Sequence, residues 1–137
     1  MAHSILVVDD DPFFRRMMEH ALEDDSRAVL SCESADEAHR LIGAVQFDLV
    51  IVDNSFAGMS GLELVKLDAK RPNAPRFIML SGSSSRDVLE QARQAGAVFA
   101  ISKPAPLDLL EYVVKLALTA NGSKVVEIPL KTFRHSA

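Results

Sequence analysis

Residues 5–11, Ile-Leu-Val-Val-Asp-Asp-Asp, join a run of four apolar side chains directly to three carboxylates. A second apolar run, Leu49–Val52, ends in the same way at Asp53. Short runs that are apolar throughout are typical of parallel strands that are covered on both faces. In an open α/β sheet, ligands bind outside the carboxyl ends of the strands. The two runs therefore predict that acidic side chains meet at one edge of a parallel sheet.

The predicted acidic cluster favours a bound cation. Three carboxylates about 4 Å apart repel one another by several kcal/mol at an effective dielectric constant of roughly 20. A divalent cation removes this repulsion, and a ligand set made only of oxygen favours Mg²⁺ or Mn²⁺ over zinc. We therefore expect a magnesium site at the strand ends.

Strand-like runs and amphipathic segments alternate along most of the chain. Strands are predicted at residues 4–9, 27–33, 48–53, 76–81 and 97–102, with a helix after each. Five such βα units with right-handed crossovers predict an α/β fold, a doubly wound parallel five-stranded sheet in a three-layer sandwich. We assign residues 1–120 to this domain and residues 121–137 to a C-terminal tail without an output domain.

Several residues mark where the predicted helices begin and end. Pro12 suits the first position of a helix, Ser34 opens a capping-box pattern, and Gly96 suits the position just after a helix. Helical periodicity places Val45 and Leu107 among the side chains that face the core.

The bulk composition excludes several classes of protein. A chain of 137 residues with 48% hydrophobic and 25% charged residues is typical of one globular domain. The net charge of −4, with scattered Lys and Arg, gives no support for nucleic-acid binding. Cys32 is the only cysteine, which excludes a disulfide framework and a cysteine-based zinc site. Without an apolar run long enough to span a bilayer, or a signal peptide, we expect a cytoplasmic protein that does not bind membranes.

The ends of the predicted strands carry complementary chemistry. The residues at these ends are Asp9 and Asp10, Asp53, Ser81, and Lys103 followed by Pro104. A nucleophilic carboxylate, a metal cradle, a hydroxyl and an ammonium together form a phosphoryl-transfer site. Each residue alone has a plainer explanation, and Asp11, next to Pro12, is better read as a helix N-cap.

These motifs resemble those of the response regulator receiver domains of two-component systems, from Ile5 to about Ala120. The matching stretches are Ile5-Leu-Val-Val-Asp9-Asp10-Asp11, Asp48-Leu-Val-Ile-Val-Asp53, Gly58-Met-Ser-Gly61, Ile78-Met-Leu-Ser81-Gly82, Gly96-Ala97 and Ile101-Ser-Lys103-Pro104. The resemblance implies a flavodoxin-like sheet with strand order 2-1-3-4-5. It also implies a cis peptide between Lys103 and Pro104, which proline makes accessible.

The resemblance further implies a role for each site residue. Asp53 is the phospho-acceptor, charged by a sensor histidine kinase or a histidine phosphotransfer protein. Mg²⁺ is held by Asp10, Asp53 and the backbone carbonyl of Ser55, with Asp9 acting through water. Ser81 and Lys103 bind the phosphoryl oxygens. Such a protein catalyses only its own phosphorylation and dephosphorylation. We expect a stand-alone, chemotaxis-regulator-like receiver, monomeric or weakly dimeric, that signals by protein–protein contact.

The chain departs from the family pattern at three alanines. Ala57 stands where proline is usual, Ala100 where many receivers carry Tyr or Phe, and Ala105 where Phe often follows Lys-Pro. Ala100 removes the aromatic switch, so we expect activation to move the loops at 54–60 and 82–86 rather than side chains of the fifth strand. The tuning positions Ser55 and Ser83 are small and neutral, which favours a long-lived phospho-form.

Two other functions and one unassigned segment remain open at this point. The chain could be a degenerate receiver that acts as a phosphorylation-independent binding module. It could also be a small phosphatase of the haloacid-dehalogenase type, with Asp9 as nucleophile, although Asp53 has no role in that scheme. The tail segment Val125–Leu130 is either a loosely packed terminus or a strand that adds to a sheet edge, its own or a partner's.

Overall fold

A computed structural model describes residues 3–55, 58–82 and 86–119. Strands and helices alternate, and their bounds are β1 His3–Val8, α1 Pro12–Leu22, β2 Arg27–Cys32, α2 Ala35–Ala44, β3 Leu49–Asp53, α3 Gly61–Asp68, β4 Arg76–Ser81, α4 Arg86–Ala95, β5 Phe99–Ser102 and α5 Leu107–Thr119. The strands form one parallel sheet in the order β2-β1-β3-β4-β5. The predicted fold and strand order are confirmed.

Side-chain and backbone caps fix the helix ends. The Asp11 carboxylate accepts a hydrogen bond of 2.9 Å from the Phe13 amide, which confirms Asp11 as the N-cap of α1. Gly96, at φ +120°, ends α4, and the next amide, that of Ala97, bonds back to the carbonyl of Ala92. Because Ala97 belongs to this helix-ending turn, β5 begins at Phe99 and not at residue 97.

Two apolar layers cover the two faces of the sheet. Helices α1 and α5 pack on one face, where they meet the side chains of Ile5, Val7 and Ile51. Helices α2, α3 and α4 pack on the other face, against Leu6, Val8 and Val50. Alternate residues of one strand therefore enter different layers, as the pleat of a strand requires.

The prediction was wrong for two apolar side chains near helix termini. Val45 is 43% exposed and Leu107 is 38% exposed. Val45 lies one residue beyond the end of α2 and Leu107 is the first residue of α5. At a helix end the periodicity still predicts which way a side chain points. For these two side chains, however, no neighbouring element among the described residues lies there to cover them.

A buried carboxylate ties α2 to α3. Asp68, the last residue of α3, is fully buried. One oxygen lies 2.8 Å from His39 Nδ1 of α2, and the other accepts from Arg71 Nε. A buried charge is tolerated only when it is paired in this way. These contacts of Asp68 with His39 and Arg71 join α2 to the C-terminal end of α3, which is the end remote from the acidic edge.

Gly61 allows α3 to begin directly against the strand that ends in Asp53. A Cβ atom at Gly61 would lie 2.3 Å from the Asp53 carbonyl oxygen and 2.9 Å from Asn54 Cα. Both neighbours are backbone atoms, which cannot move aside as a flexible side chain can. The missing side chain therefore sets how closely the helix approaches the acidic edge of the sheet.

Gly61→Ala is expected to lower the free energy of unfolding by about 1–3 kcal/mol, because the added methyl group overlaps backbone atoms. Gly43→Ala is the matched control, since its Cβ would meet Arg71 at an ordinary 3.5 Å. Alanine inside α2 should be neutral or stabilising by up to about 1 kcal/mol. Urea unfolding of both variants measures the difference, and equal effects would contradict the close approach at Gly61.

Candidate functional site

Three carboxylates converge at the carboxyl edge of β1 and β3. Asp9 and Asp10 follow β1, Asp53 ends β3, and one oxygen of each lies within 4.8 Å of the others. Asp9 is 2% exposed and Asp53 is 5% exposed, whereas Asp10 lies open to solvent. The predicted acidic cluster is therefore present, with two buried members and one at the surface.

Lys103 brings a positive charge to the two buried carboxylates. Its Nζ lies 3.1 Å from Asp53 Oδ1 and 3.4 Å from Asp9 Oδ2. The same ammonium lies 5.3 Å from the centre of the Phe14 ring of α1, within the range of a cation–π contact. The Lys103 amide also donates a 2.7 Å hydrogen bond to the carbonyl of Ser81, which anchors the end of β5 to the end of β4.

The surroundings of the site raise the pKa values of both Asp9 and Lys103. Desolvation raises the pKa of Asp9, and the nearby Asp53 charge adds to that effect. The hydrogen bond from the Asp11 amide and the charge of Lys103 offset the rise only in part. Desolvation alone would lower the pKa of Lys103, but the carboxylates of Asp53 and Asp9 outweigh it and raise this pKa. The lysine is therefore fixed in its charged form.

Two further residues hold the edge in place, and sequence reasoning missed both. Arg15 Nη1 donates a 2.7 Å hydrogen bond to the Asp9 carbonyl oxygen. Asn54, directly after the predicted phospho-acceptor, donates from its amide to the Leu80 carbonyl and accepts from the Leu62 amide at its side chain. Asn54 thus joins the end of β3 to both β4 and α3. Two sequence features could have identified these residues. Arg15 lies in the first turn of the helix that follows the acidic triplet, and Asn54 directly follows Asp53.

Of the remaining predicted site residues, one is buried, one is exposed, and two lie outside the described part of the chain. Ser81 is 1% exposed at the end of β4, and Ser55 is exposed in the loop after β3. The tuning residue Ser83 and the departure at Ala57 lie outside the described residues. The cis peptide between Lys103 and Pro104 is confirmed.

The alanine at the expected switch position faces the layer of α2, α3 and α4. Ala100 packs against that layer, whereas Phe99 is buried in the layer of α1 and α5. This confirms that the two neighbouring side chains point to opposite faces, so Phe99 cannot occupy the place of the missing aromatic ring.

The donor set fits a hard divalent cation. Asp53 Oδ1 is buried and forms an ion pair with Lys103, but it has no well-aligned hydrogen-bond partner among the described residues. Two further carboxylates lie beside it and every candidate ligand atom is oxygen. Such a set suits magnesium or calcium better than zinc.

The fold and the site define a receiver of the two-component type, and comparison with known proteins agrees. The family model of the response regulator receiver domain matches residues 5–115. The chain belongs to this family. Because receivers are regulatory domains, the family assignment argues against the haloacid-dehalogenase alternative, in which the protein is a phosphatase with Asp9 as the nucleophile.

Several curated relatives and solved structures are similar to this chain. The response regulator protein PilR of Pseudomonas aeruginosa is 32% identical over 91% of this chain and 28% of its own length. The transcriptional regulatory protein YvrH of Bacillus subtilis is 37% identical over 77% of this chain and 45% of its own. A response regulator structure from Thermotoga maritima has 28% identity and a TM-score of 0.77, covering 88% of this chain and all of that one.

A structure from Burkholderia pseudomallei is described as a response regulator with a phosphorylated aspartic acid, a calcium ion and citrate. It is 32% identical with a TM-score of 0.72, covering 87% of this chain and 68% of that one.

The chain spans less than half the length of both curated relatives, PilR and YvrH. Two other relatives are named as enzymes, a cyclic di-GMP phosphodiesterase of Thermotoga maritima and a protein-glutamate methylesterase of Burkholderia thailandensis, and the chain covers 31% and 37% of their lengths. Among the described residues, no helix is long and apolar enough to span a membrane.

Asp9→Asn is expected to stabilise the metal-free protein at neutral pH. A raised pKa means that ionising Asp9 costs more in the folded protein than in the unfolded chain. Below the ordinary value of 3.8 the carboxyl is protonated in both states and this cost disappears. Urea unfolding in a chelator should therefore show a stability advantage of the variant that is full above the raised pKa, shrinks as the pH falls from the raised pKa toward 3.8, and is absent below 3.8. A stability advantage that is equal at neutral pH and below pH 3.8 would contradict the raised pKa of Asp9.

Proposed function

We propose that this protein accepts a phosphoryl group on Asp53 from a phosphohistidine of a sensor kinase or a histidine phosphotransfer protein. The observation that carries the proposal is the Asp53 carboxylate itself. It ends the central strand, is almost buried, and keeps one oxygen that pairs with Lys103 but lacks an aligned hydrogen bond. The Asp53 carboxylate is therefore restrained in position, and the Lys103 ammonium balances its charge.

The transfer is an in-line displacement at phosphorus. An Asp53 carboxylate oxygen attacks, an oxygen–phosphorus bond forms, and the nitrogen–phosphorus bond of the donor breaks. The bonding electron pair leaves with the donor imidazole, which takes up a proton. The product is an aspartyl phosphate, and no oxidant or further reactant is needed.

Lys103 and Ser81 bind the oxygens of the transferred group. The Lys103 ammonium already lies 3.1 Å from Asp53, so it neutralises charge that develops on the phosphoryl oxygens beside that carboxylate. Ser81 ends β4, the strand that pairs with β3 next to Asp53, and its hydroxyl can donate to another phosphoryl oxygen.

Asp10, Asp53 and the backbone carbonyl of Ser55 would hold Mg²⁺, with Asp9 acting through water. When bound, the ion offsets the carboxylate repulsion and neutralises phosphoryl charge. The buried position of Asp9 and its bond to the Asp11 amide favour an indirect role for Asp9. The exposed Asp10 is free to turn toward the ion.

The related structure from Burkholderia pseudomallei supports an aspartate as the acceptor, because its description names a phosphorylated aspartic acid. For this chain we propose a cytoplasmic receiver whose output is contact with another protein, and which is monomeric or weakly dimeric. A degenerate receiver that binds partners without phosphorylation is the alternative. The presence of every chemical group that the transfer requires favours the phospho-accepting function.

Incubation with acetyl phosphate and Mg²⁺ should add one phosphoryl group to the protein, and Asp53→Asn should abolish the addition. The variant is isosteric and should keep the fold, because it removes one charge from a repulsive cluster. Asp11→Asn is the matched control, since it removes a neighbouring charge yet keeps a helix-capping residue. Intact mass spectrometry measures the addition.

The same experiment separates the alternatives. A wild-type protein that never gains mass would support the degenerate receiver. Retained mass gain in Asp53→Asn would show that another residue is the nucleophile.

Asp10→Asn should weaken Mg²⁺ binding at least as much as the roughly 10- to 100-fold that loss of an outer-shell partner costs. Asp11→Asn should change it far less, because the Asp11 carboxylate is engaged at the start of α1. Both variants remove one unit of charge, so their difference isolates direct ligation from general electrostatics. Calorimetric titration with MgCl₂ gives both dissociation constants, and equal weakening would show that the ligand is misassigned.

A further inference from the structure

The aromatic ring of Phe14 lies against the Lys103 ammonium, and both residues belong to the described part of the chain, unlike the tail segment Val125–Leu130. Lys103 Nζ lies over the ring, 5.3 Å from its centre. The same nitrogen lies 3.1 Å from Asp53 Oδ1 and 3.4 Å from Asp9 Oδ2. The ammonium is therefore in contact with two carboxylates and with the face of an aromatic ring.

Hydrogen bonds on both sides of Phe14 fix the first turn of α1 against the acidic edge. The amide of Phe13 donates to the Asp11 carboxylate. Arg15 Nη1 donates to the Asp9 carbonyl oxygen, and the Arg15 amide donates to the Asp11 carbonyl at 3.1 Å. The backbone that carries the ring is thus tied to the acidic triplet, so the ring is held in place beside the ammonium.

The helical period turns Phe14 and Phe13 in different directions. Phe14 lies one turn before the fully buried Met18 and packs against the layer of α1 and α5. Phe13 lies one turn before Met17, and these two side chains are 77% and 36% exposed. The two neighbouring phenylalanines thus have different surroundings, because Phe14 contacts the lysine and Phe13 extends into solvent.

An aromatic ring suits this place because it attracts a cation without adding a charge. The Lys103 side chain is long, flexible and 32% exposed, so fixing its ammonium costs conformational entropy. The electron-rich face of the Phe14 ring attracts the ammonium. A carboxylate there would also attract it, but would add to the repulsion between Asp9 and Asp53. The ring therefore restrains the lysine and leaves the charge balance of the acidic edge unchanged.

We propose that Phe14 is a positioning residue for the transfer of a phosphoryl group to Asp53, and that its ring holds the Lys103 ammonium in place for this step. The inference rests on the proposed function of Asp53 as the phospho-acceptor. A positive charge that is already in place stabilises the transition state without reorganisation, which is the main advantage of a preorganised site. Phe14 forms and breaks no bond in this scheme and acts through Lys103.

Packing is the plainer role for a half-buried phenylalanine, and the two roles make different predictions. A packing role depends on the volume and apolar surface of the side chain. The positioning role depends on the electron density of the ring face, which fluorine substituents withdraw with little change of shape. Loss of packing would also disturb the acidic edge and weaken Mg²⁺ binding. A loosened ammonium, by contrast, competes less with Mg²⁺ for the carboxylates.

Initial rates of phosphorylation by acetyl phosphate at saturating Mg²⁺, followed by intact mass spectrometry, test the proposal. Phe14→Leu keeps an apolar side chain without a ring and should slow the reaction roughly 2- to 30-fold, the range expected for a lost cation–π contact. Phe14→Tyr keeps the ring face and should stay within about twofold of the wild type. Phe13→Leu is the matched control, because the same change at the exposed neighbour should also stay within about twofold.

Two further measurements separate positioning from packing. Mono-, di- and trifluorinated phenylalanine at position 14 should slow the reaction stepwise, since each fluorine weakens the attraction of the ring for the ammonium. Calorimetric titration should show that Phe14→Leu binds Mg²⁺ as tightly as the wild type or more tightly. A rate that falls in Phe14→Leu but not on fluorination, or that falls together with the Mg²⁺ affinity, would assign Phe14 to packing alone.

Nuclear magnetic resonance tests the contact itself without a phosphoryl donor. The ring current of Phe14 should move the Cε methylene protons of Lys103 to lower frequency than in a solvated lysine. Phe14→Leu should abolish this displacement, and Phe13→Leu should leave it. Absence of the displacement in the wild type, or equal rates in the wild type and Phe14→Leu, would overturn the proposal. A wild type that shows the displacement but never gains a phosphoryl group would instead refute phospho-acceptance by Asp53, and with it the role of Phe14 in transfer.

Discussion

The Lys103 ammonium, held between the buried carboxylates of Asp9 and Asp53, is the contact on which the acidic edge depends. Two carboxylates that are almost buried would each lose several kcal/mol of hydration without a counter-charge. β5 is separated from β3 by β4, so the lysine side chain must reach over the end of β4. That strand ends in the small residue Ser81, and a larger side chain there would stand in the path. The strand order and the residue types at three strand ends therefore depend on one another.

The fold was predictable because a parallel sheet buries both faces of its strands. All five residues of β3 are buried, so its signal is a continuous apolar run that is hard to confuse with a surface element. The prediction failed where burial depends on a neighbour and not on periodicity. Val45 and Leu107 lie at helix termini, where the covering element ends before the apolar stripe does. The start of β5 was misplaced because the turn that ends α4 extends through Ala97.

For the site, residue types at strand ends were predictable, but the contacts that position them were not. Any parallel sheet gathers its strand ends at one edge, so Asp9, Asp53 and Lys103 could be placed together from the sequence. The bonds of Asn54 to Leu80 and Leu62 depend on the path of the loop after β3. The reciprocal capping box of Ser60 and Glu63, which starts α3, is different, because its Ser-x-x-Glu spacing is visible in the sequence although it was not singled out. Loop geometry comes from tertiary packing, which the pattern of residue types does not encode.

Ala100 limits the routes by which a change at the acidic edge could reach the protein surface. A methyl group has no alternative rotamers, and Phe99 is committed to the opposite layer. A rotamer change at position 99 or 100 of β5 therefore cannot transmit a change at the acidic edge to the face that α2, α3 and α4 cover. The backbone contacts around the edge remain: Asn54 ties β3 to β4 and α3, and Gly61 brings α3 directly against the Asp53 carbonyl. Because these contacts leave little free space, a displacement of the Asp53 backbone would be passed to the start of α3 more readily than to β5.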